Sequence, residues 1–227
     1  MPILERFHQH GVTRLVCTPH LNASQARSAP FQRHMEILAG LRAAAVNGPE
    51  LLLGWEIMLD QPGADLTDMS LTLGDSRALL VEFSIGGIPR GAMGELRRIA
   101  RSGRTPILAH PERYYGCTVN LVREFRKLGV VIQTDVSVML GRGAPSELAR
   151  DLLAHGLVDI LASDNHGDLR SLDAGRAWLL ERQATAEQVE LLTQTNAQLV
   201  LNDEDPRPVP PLVMGGVLQR VRRRFGR

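Results

Sequence analysis

A repeated order of strand, helix, glycine and strand constrains the fold of this chain most strongly. Short runs rich in Val, Ile and Leu, typical of strands buried on both faces, alternate with longer amphipathic segments. Helical segments close on Gly103, Gly129 and Gly156, and an apolar run follows each glycine closely. The predicted strands are 12–18, 51–57, 78–83, 106–109, 130–135 and 158–163, and the predicted helices between them are 30–46, 91–102, 118–128 and 145–155. This order predicts an α/β protein with a parallel sheet or barrel.

Each of the six predicted strands ends on or close to a histidine or a carboxylate. The residues are His20, Glu56, Glu82, His110, Asp135, and Asp164 with His166. The 227-residue chain contains 7 His and 25 Asp and Glu, so this placement is not expected by chance. Because loops at the carboxyl ends of parallel strands converge over one face, these side chains are expected to form one site. Two alternatives stay open: Glu82 could be a buried pairing residue, and Asp135 could cap the turn that follows it.

These residue types indicate metal chemistry. Imidazoles and carboxylates without thiolates suit Zn, Mn or Fe, and a carboxylate can bridge two ions. Paired metal ions generate hydroxide from water and stabilise the oxygens of a phosphoryl transfer. Arg113, three residues after His110, offers a planar fork suited to phosphate, and Pro111 is expected to hold His110 in an extended backbone conformation. The pattern therefore predicts metal-assisted hydrolysis of a phosphate ester.

Five segments resemble one family: GVTRLVCTPH, GWEI, LLVEF, PILAHPERY and LASDNH, in this order along about residues 10–170. They are similar to the PHP (polymerase and histidinol phosphatase) superfamily, and most similar to its bacterial tyrosine-protein phosphatases of capsule and exopolysaccharide biosynthesis. The resemblance implies a distorted seven-stranded, TIM-like β/α barrel. It also implies two to three metal ions, often manganese, and dephosphorylation of a phosphotyrosine protein, in particular a bacterial tyrosine autokinase.

The resemblance also implies roles for individual residues. The positions that match metal ligands are His20, Glu56, Glu82, His110, Asp164 and His166. Arg113 matches a phosphate-binding arginine, and Arg170 lies near the position of a second arginine, with a spacing one residue shorter. In the implied mechanism a metal-bound hydroxide attacks phosphorus in line and Arg113 orients the phosphoryl oxygens. Asp164 or a metal-bound water assists proton transfer to the leaving phenolate.

The chain departs from the family pattern at its start. The family opens with a strand that carries Asp-x-His-x-His, and no such pattern occurs before residue 12. The expected fold is therefore the barrel without its first strand, for which a wrongly assigned start codon is one explanation. A second departure is the segment QTDVSVMLGRG, where the family has an Asn and a Gly-Ser pair.

Two local patterns imitate functional motifs. The FHQH segment at 7–10 looks like His-x-His but is predicted to be a solvated helix end, because residues two apart on a helix point away from each other. The spacing from Cys117 to Arg123 matches Cys-x5-Arg of thiol-dependent phosphatases. However, this segment has no glycine for a phosphate-binding loop and shows helical periodicity.

The composition of the chain argues against nucleic-acid-binding, secreted and membrane-spanning proteins. A formal charge of +1 argues against a nucleic-acid partner, and 2 Cys without a signal-peptide pattern predict a reduced, cytoplasmic protein. No apolar run is long enough to cross a bilayer. The predicted organisation is a barrel domain at 1–202, a Pro-rich linker at 203–211 and a basic tail at 212–227, with homo-oligomerisation possible.

The function expected from the sequence is thus a metal-dependent protein-tyrosine phosphatase. Two alternatives stay open at this point. One is a phosphatase for histidinol phosphate or another small phosphoester, which would use the same chemistry. The other is a non-catalytic binding module, a remnant whose metal cluster lacks the ligands of the first strand.

Overall fold

The strands of this protein pair in parallel and form two sheets. The computed structural model describes residues 2–45 and 48–213. The strands are β1 (Arg14–Cys17), β2 (His20–Asn22), β3 (Glu50–Leu53), β4 (Glu56–Met58), β5 (Ala78–Glu82), β6 (Thr105–Ala109), β7 (Val131–Asp135) and β8 (Ile160–Ala162). A two-stranded sheet pairs β1 with β3, and a six-stranded sheet has the order β2-β4-β5-β6-β7-β8. The predicted α/β class with parallel sheets is confirmed.

The strand count differs from the predicted six. The predicted strand 51–57 is divided into β3 and β4, and β2 was not predicted. Gly54 lies at this division and packs closely, because a Cβ atom there would lie 2.4 Å from the Leu73 side chain. Closure of a barrel is not observed: within the described ranges, β1 pairs only with β3 and β8 only with β7.

Helices connect the strands. They are α1 (Pro2–Gln9), α2 (Phe31–Ala44), α3 (Ala92–Arg101), α4 (Val119–Arg126), α5 (Val136–Leu140), α6 (Ala144–Ala154), α7 (Leu172–Glu181), α8 (Ala186–Glu190) and α9 (Asn196–Leu201). The predicted helices α2, α3, α4 and α6 are confirmed, and Gly103, Gly129 and Gly156 follow the last three with positive φ. A π-helical turn at Leu191–Thr195 joins α8 to α9. The sequence analysis missed α5 and α7.

Apolar side chains cover both faces of the six-stranded sheet. In β5, Leu79 and Val81 belong to the main core cluster, which includes residues of the surrounding helices, whereas Ala78 and Leu80 belong to a second cluster on the opposite face. Alternate residues of a strand point to opposite faces, so a strand buried on both faces must be apolar throughout. The sheet is therefore a packed scaffold that can hold polar groups at its carboxyl edge.

The proline-rich segment after α9 lies against the domain. Val209 and Leu212 are buried, and the Leu212 N–H donates to the Leu153 carbonyl at 3.1 Å. The Gln188 side chain donates to the Pro210 carbonyl at 3.1 Å. The boundaries predicted for the linker and the tail stay predictions, and residues 214–227 of the basic tail lie outside the described part of the chain.

Candidate active site

The predicted ligand residues come together at one edge of the six-stranded sheet. Glu82 is the last residue of β5, and His110 directly follows β6. His20 and Glu56 instead begin the short strands β2 and β4, where they are direct register partners. Asp164 and His166 lie in the loop after β8. The chain breaks after β1 and again after β3, and His20 and Glu56 begin the short strands that follow these breaks. Both residues therefore lie at the same carboxyl edge of the sheet as Glu82 and His110.

His20, Glu56 and Glu82 form a group with the geometry of a metal site. One ligand atom from each lies within 4.8 Å of the other two. The His20 Nδ1 atom is 3.3 Å from Glu82 Oε1 and 3.7 Å from Glu56 Oε2. Both carboxylates are buried, whereas the His20 side chain is 64% exposed. The group is thus open to solvent on the histidine side.

His110 adds a fourth side chain to this group on its buried side. Its Nε2 atom lies 2.7 Å from Glu56 Oε1 and 3.5 Å from Glu82 Oε2, and the residue is buried. The extended backbone expected for His110 is wrong, because its φ of 33° and ψ of 54° are left-handed. Asp164 also has a positive φ, 43°. Such conformations cost energy in residues other than glycine and are retained where surrounding contacts determine them.

The two carboxylates of this group have opposite pKa shifts. Burial raises the pKa of Glu56, but the hydrogen bond to His110 and the nearby positive charges outweigh burial and leave that pKa below its usual value. Burial and the charge of Glu56 raise the pKa of Glu82. Burial lowers the pKa of His110, yet its bond to Glu56 gives a net upward shift. Glu56 and Glu82 therefore repel each other, and a cation between them would remove this repulsion.

The donor set fits a divalent metal ion. Imidazole nitrogens and carboxylate oxygens without thiolates are the ligands of Zn, Mn and Fe sites. In addition, the His110 Nδ1 atom is buried without a hydrogen-bond partner among the described residues. His20, Glu56, Glu82 and His110 could thus hold a metal, with His20 facing solvent.

A second group, of arginines around Asp164, lies beside the first. Asp164 Oδ2 accepts from Arg113 Nη2 at 2.6 Å and from Arg170 Nη1 at 3.3 Å. Arg170 Nη2 also lies 2.8 Å from His166 Nδ1, so the predicted second arginine contacts the site despite its shorter spacing. The rings of His20 and His166 are 6.3 Å apart between centroids, which connects the two groups.

Asp135 has several contacts, of which the sequence suggested one. As predicted in one of the two interpretations, it caps a helix: its Oδ1 accepts the Ser137 N–H at 2.6 Å at the start of α5. Its Oδ2 also pairs with Arg113. The neighbouring Glu112 is buried and its Oε1 accepts the Asp135 N–H at 2.9 Å. The sequence analysis missed Glu112, although its place between Pro111 and Arg113 in the HPER segment was visible.

The two segments that look like functional motifs, FHQH at 7–10 and the Cys-x5-Arg spacing from Cys117 to Arg123, have structural explanations. Cys117 lies just before the Thr118 cap of α4, so Cys-x5-Arg is a helix as predicted. Burial raises the pKa of the Cys117 thiol to about 12, which opposes thiolate formation. In FHQH, His8 is exposed and His10 pairs with Asp173 at the start of α7, so the predicted solvated helix end has a partner at His10.

None of the helices in the described ranges has the length and apolar character needed to span a membrane.

The fold resembles solved structures of metal-dependent phosphatases. A chain from the crystal structures of YwqE from Bacillus subtilis and CpsB from Streptococcus pneumoniae, unique metal-dependent tyrosine phosphatases, superposes with a TM-score of 0.72. It is 22% identical and covers 92% of this chain and 90% of its own.

Sequence comparison agrees with this likeness. The tyrosine-protein phosphatase YwqE of Bacillus subtilis (strain 168) is 26% identical over 217 residues, which are 89% of this chain and 84% of that protein. The sequence model of the family described as capsular polysaccharide synthesis, CpsB/CapC, matches residues 1–202. This chain therefore belongs to the CpsB/CapC family of capsular polysaccharide synthesis.

Proposed function

We propose that this protein is a metal-dependent phosphatase that hydrolyses phosphotyrosine in a protein substrate. The observation that carries the proposal is the proximity of two groups at one sheet edge, where the His20 and His166 rings lie 6.3 Å apart. A cluster of imidazoles and carboxylates, buried except at His20, lies beside two arginines that share Asp164. Family membership and the similarity to tyrosine phosphatases support the same reaction.

The proposed metal ligands are His20, Glu56, Glu82, His110, Asp164 and His166. Manganese is the proposed ion, with Zn and Fe as alternatives that accept the same donors, and the complete family site would take two to three ions. When bound, the metal supplies a nucleophile from water and stabilises charge on the phosphoryl oxygens. The buried carboxylates hold the negative charge that attracts the ion into this edge of the sheet.

Arg113 is proposed to bind and orient the phosphoryl group. Its side chain is 29% exposed, so a phosphate can reach it from solvent, and its fork matches two phosphate oxygens. Asp164 accepts from both Arg113 and Arg170 and so fixes their relative position. Arg170 is proposed to add a second cation beside the phosphate.

Asp164 is also proposed to assist the leaving group. The phenol of tyrosine has an ordinary pKa of about 10, so the leaving phenolate gains from a proton as the bond to phosphorus breaks. Asp164 is 14% exposed in its side chain and lies between the two arginines, close to where the phosphoryl group would be held. Its Oδ1 atom is not bonded to either arginine, lies 3.8 Å from His166 Nδ1, and is the oxygen proposed to face the leaving group.

The proposed partner is a phosphotyrosine protein of capsule or exopolysaccharide synthesis, in particular a bacterial tyrosine autokinase. This assignment depends on the family description and on the relatives, which are tyrosine phosphatases. A homo-oligomer and a cytoplasmic location stay predictions.

We further propose that the two sheets belong to the distorted β/α barrel that the resemblance implies, which can take one more strand. A cavity of about 860 Å³ is lined by residues of both β1 and β8, and Val16, Leu80 and Ile107 are among its apolar lining residues. A parallel strand with the family's Asp-x-His-x-His pattern would pair with both edges and add ligands beside His20. A chain extended by such a strand should bind more metal per molecule than the 227-residue chain, and equal metal content would refute this arrangement.

The substrate is tested by direct comparison. Purified protein is incubated with a phosphotyrosine peptide or with histidinol phosphate, with and without Mn²⁺, and released phosphate is measured. Faster Mn²⁺-dependent turnover of the peptide supports the proposal. Preference for histidinol phosphate would indicate a small-molecule phosphatase, and absence of turnover on both, with metal bound, would indicate a binding module.

A further inference from the structure

Glu112 is a buried carboxyl with an unusual set of contacts. It lies in the short 3₁₀ turn Pro111–Arg113 after β6 and is 2% exposed. Its Oε1 accepts the backbone N–H of Asp135 at 2.9 Å, and its Oε2 has no hydrogen-bond partner among the described residues. No arginine or lysine pairs with it in the described ranges. Glu112 thus connects the turn after β6 to the end of β7.

This connection determines where Asp135 lies relative to Arg113. The Asp135 side chain is fixed by the Ser137 N–H at 2.6 Å and pairs with Arg113, which directly follows Glu112 in the chain. Glu112, Asp135 and Arg113 therefore form a closed ring of one covalent connection and two polar contacts. A shift at the Glu112 contact would move both partners of the Arg113 pair.

The cost of this arrangement argues against a purely stabilising role. Burying a carboxyl group without a cation partner is unfavourable, and an apolar residue of similar size is often at least as stable at such a position. The single backbone bond recovers only a small part of that cost. A gain in the placement of Arg113 explains the carboxyl group better than a gain in folding energy.

We propose that Glu112 is a positioning residue that, through Asp135, holds Arg113 in the orientation that binds the phosphoryl group. This inference rests on the proposed phosphatase function. Glu112 touches no substrate atom in this account. The Glu112 side chain must be long enough for its acceptor oxygen to bond the Asp135 N–H. This backbone hydrogen bond is therefore the feature that a variant must preserve to keep Arg113 in place.

Two conservative variants separate the effect of the length of the Glu112 side chain from the effect of its charge. Glu112→Gln keeps an acceptor oxygen at the same distance from the main chain and removes the charge. Glu112→Asp keeps the charge and is one methylene too short to reach the Asp135 N–H. If reach is decisive, only the Asp variant should weaken phosphate binding, by about tenfold, the scale of one lost hydrogen bond.

Asp159 offers a matched control at the other end of β7. It is also a buried carboxylate that accepts a backbone N–H of this strand, from Ile132 at 2.9 Å, and it pairs with Arg126. Asp159→Ala should therefore lower the melting temperature at least as much as Glu112→Asp. It should leave phosphate affinity unchanged, because Asp159 lies away from Arg113.

The experiment measures inorganic phosphate binding to the Mn²⁺-loaded proteins by calorimetry, with metal content and melting temperature recorded for each. Wild-type affinity in Glu112→Gln and about tenfold weaker binding in Glu112→Asp, at equal metal content, support the inference. It is overturned if Glu112→Asp binds like wild type or if Glu112→Gln loses affinity tenfold. If Glu112→Asp does not fold, Glu112→Met, which has a similar volume and no acceptor oxygen, takes its place under the same criterion. Failure of wild type to bind phosphate would instead refute the proposed function.

Discussion

The Nε2 atom of His110 lies 2.7 Å from Oε1 of Glu56, at the point where β6 ends and β4 begins. This contact joins two strands that are not neighbours in the sheet, because β5 lies between them. Glu82, from β5, completes the arrangement at 3.5 Å from the same nitrogen. Three strands thus present their polar ends to a single volume, which is where the proposed metal binds.

Glu82→Gln should weaken metal binding and stabilise the metal-free protein. The substitution removes one ligand charge and the repulsion between Glu82 and Glu56. We expect Mn²⁺ affinity to fall by about 10- to 100-fold, the range known for residues that support metal ligands and a lower limit for a ligand itself. Mn²⁺ titration and thermal unfolding in a chelator measure the two effects. Glu124→Gln, exposed on α4, is the control, and equal Mn²⁺ affinity in the Glu82 variant would contradict the assignment.

Arg113→Lys should lower kcat/KM for a phosphotyrosine peptide about 100-fold without loss of metal. Lysine keeps the charge but has no planar fork for two phosphate oxygens, so it cannot reproduce the contacts made by Arg113. Steady-state kinetics with metal analysis measures this effect. Arg101 is exposed at the end of α3, shortly before the amino end of β6, and Arg101→Lys should have wild-type kinetics. Wild-type kcat/KM in Arg113→Lys would exclude Arg113 as the phosphate-binding residue.

Cys117→Ala should retain wild-type kcat/KM. Burial raises the pKa of this thiol to about 12, so almost no thiolate is present at neutral pH. For the same reason iodoacetamide should not inhibit the wild-type protein. Loss of turnover in the Ala variant, or rapid inactivation by iodoacetamide, would indicate a thiol-dependent mechanism.

Glu112 should make folding stability depend on pH. Burial raises its pKa from 4.5 to about 7, so the folded state binds more protons than the unfolded state between these values. The free energy of unfolding should therefore fall as pH rises from about 4.5 to 7, by up to about 3 kcal/mol from this group. Urea unfolding of metal-free wild type and Glu112→Gln at several pH values measures the difference. Parallel pH profiles of the two proteins would show that Glu112 is not protonated on folding.

The sequence predicted the parts of the site that depend on local order. Runs of Val, Ile and Leu mark the strands, and the polar residues at the ends of these runs, such as His110 and Glu82, are the predicted site residues that the structure brings together. The strand β2 was missed because three residues, His20–Asn22, are too short to show a period of two. The break between β3 and β4 was missed because the apolar run continues through Gly54 and Trp55 without a local signal for it.

Contacts between distant residues account for the rest. Nothing in the local pattern indicated that Asp164 accepts from both Arg113 and Arg170, or that Glu112 would reach Asp135. The positive φ of His110 was also opposite to the expectation from Pro111, since the local preference for extended backbone is outweighed by the tertiary contact with Glu56. Residue types and their order were therefore predictable, whereas their orientation was not.

The most direct test of the central claim compares metal content and turnover in wild type and His110→Ala. The account predicts that wild type binds at least about one equivalent of Mn²⁺ and hydrolyses a phosphotyrosine peptide, and that His110→Ala loses both. His155→Ala, which removes an exposed histidine at the end of α6, should behave as wild type. Substoichiometric metal in wild type, or turnover that persists in His110→Ala, would contradict the claim that this edge of the sheet is a metal-dependent phosphatase site.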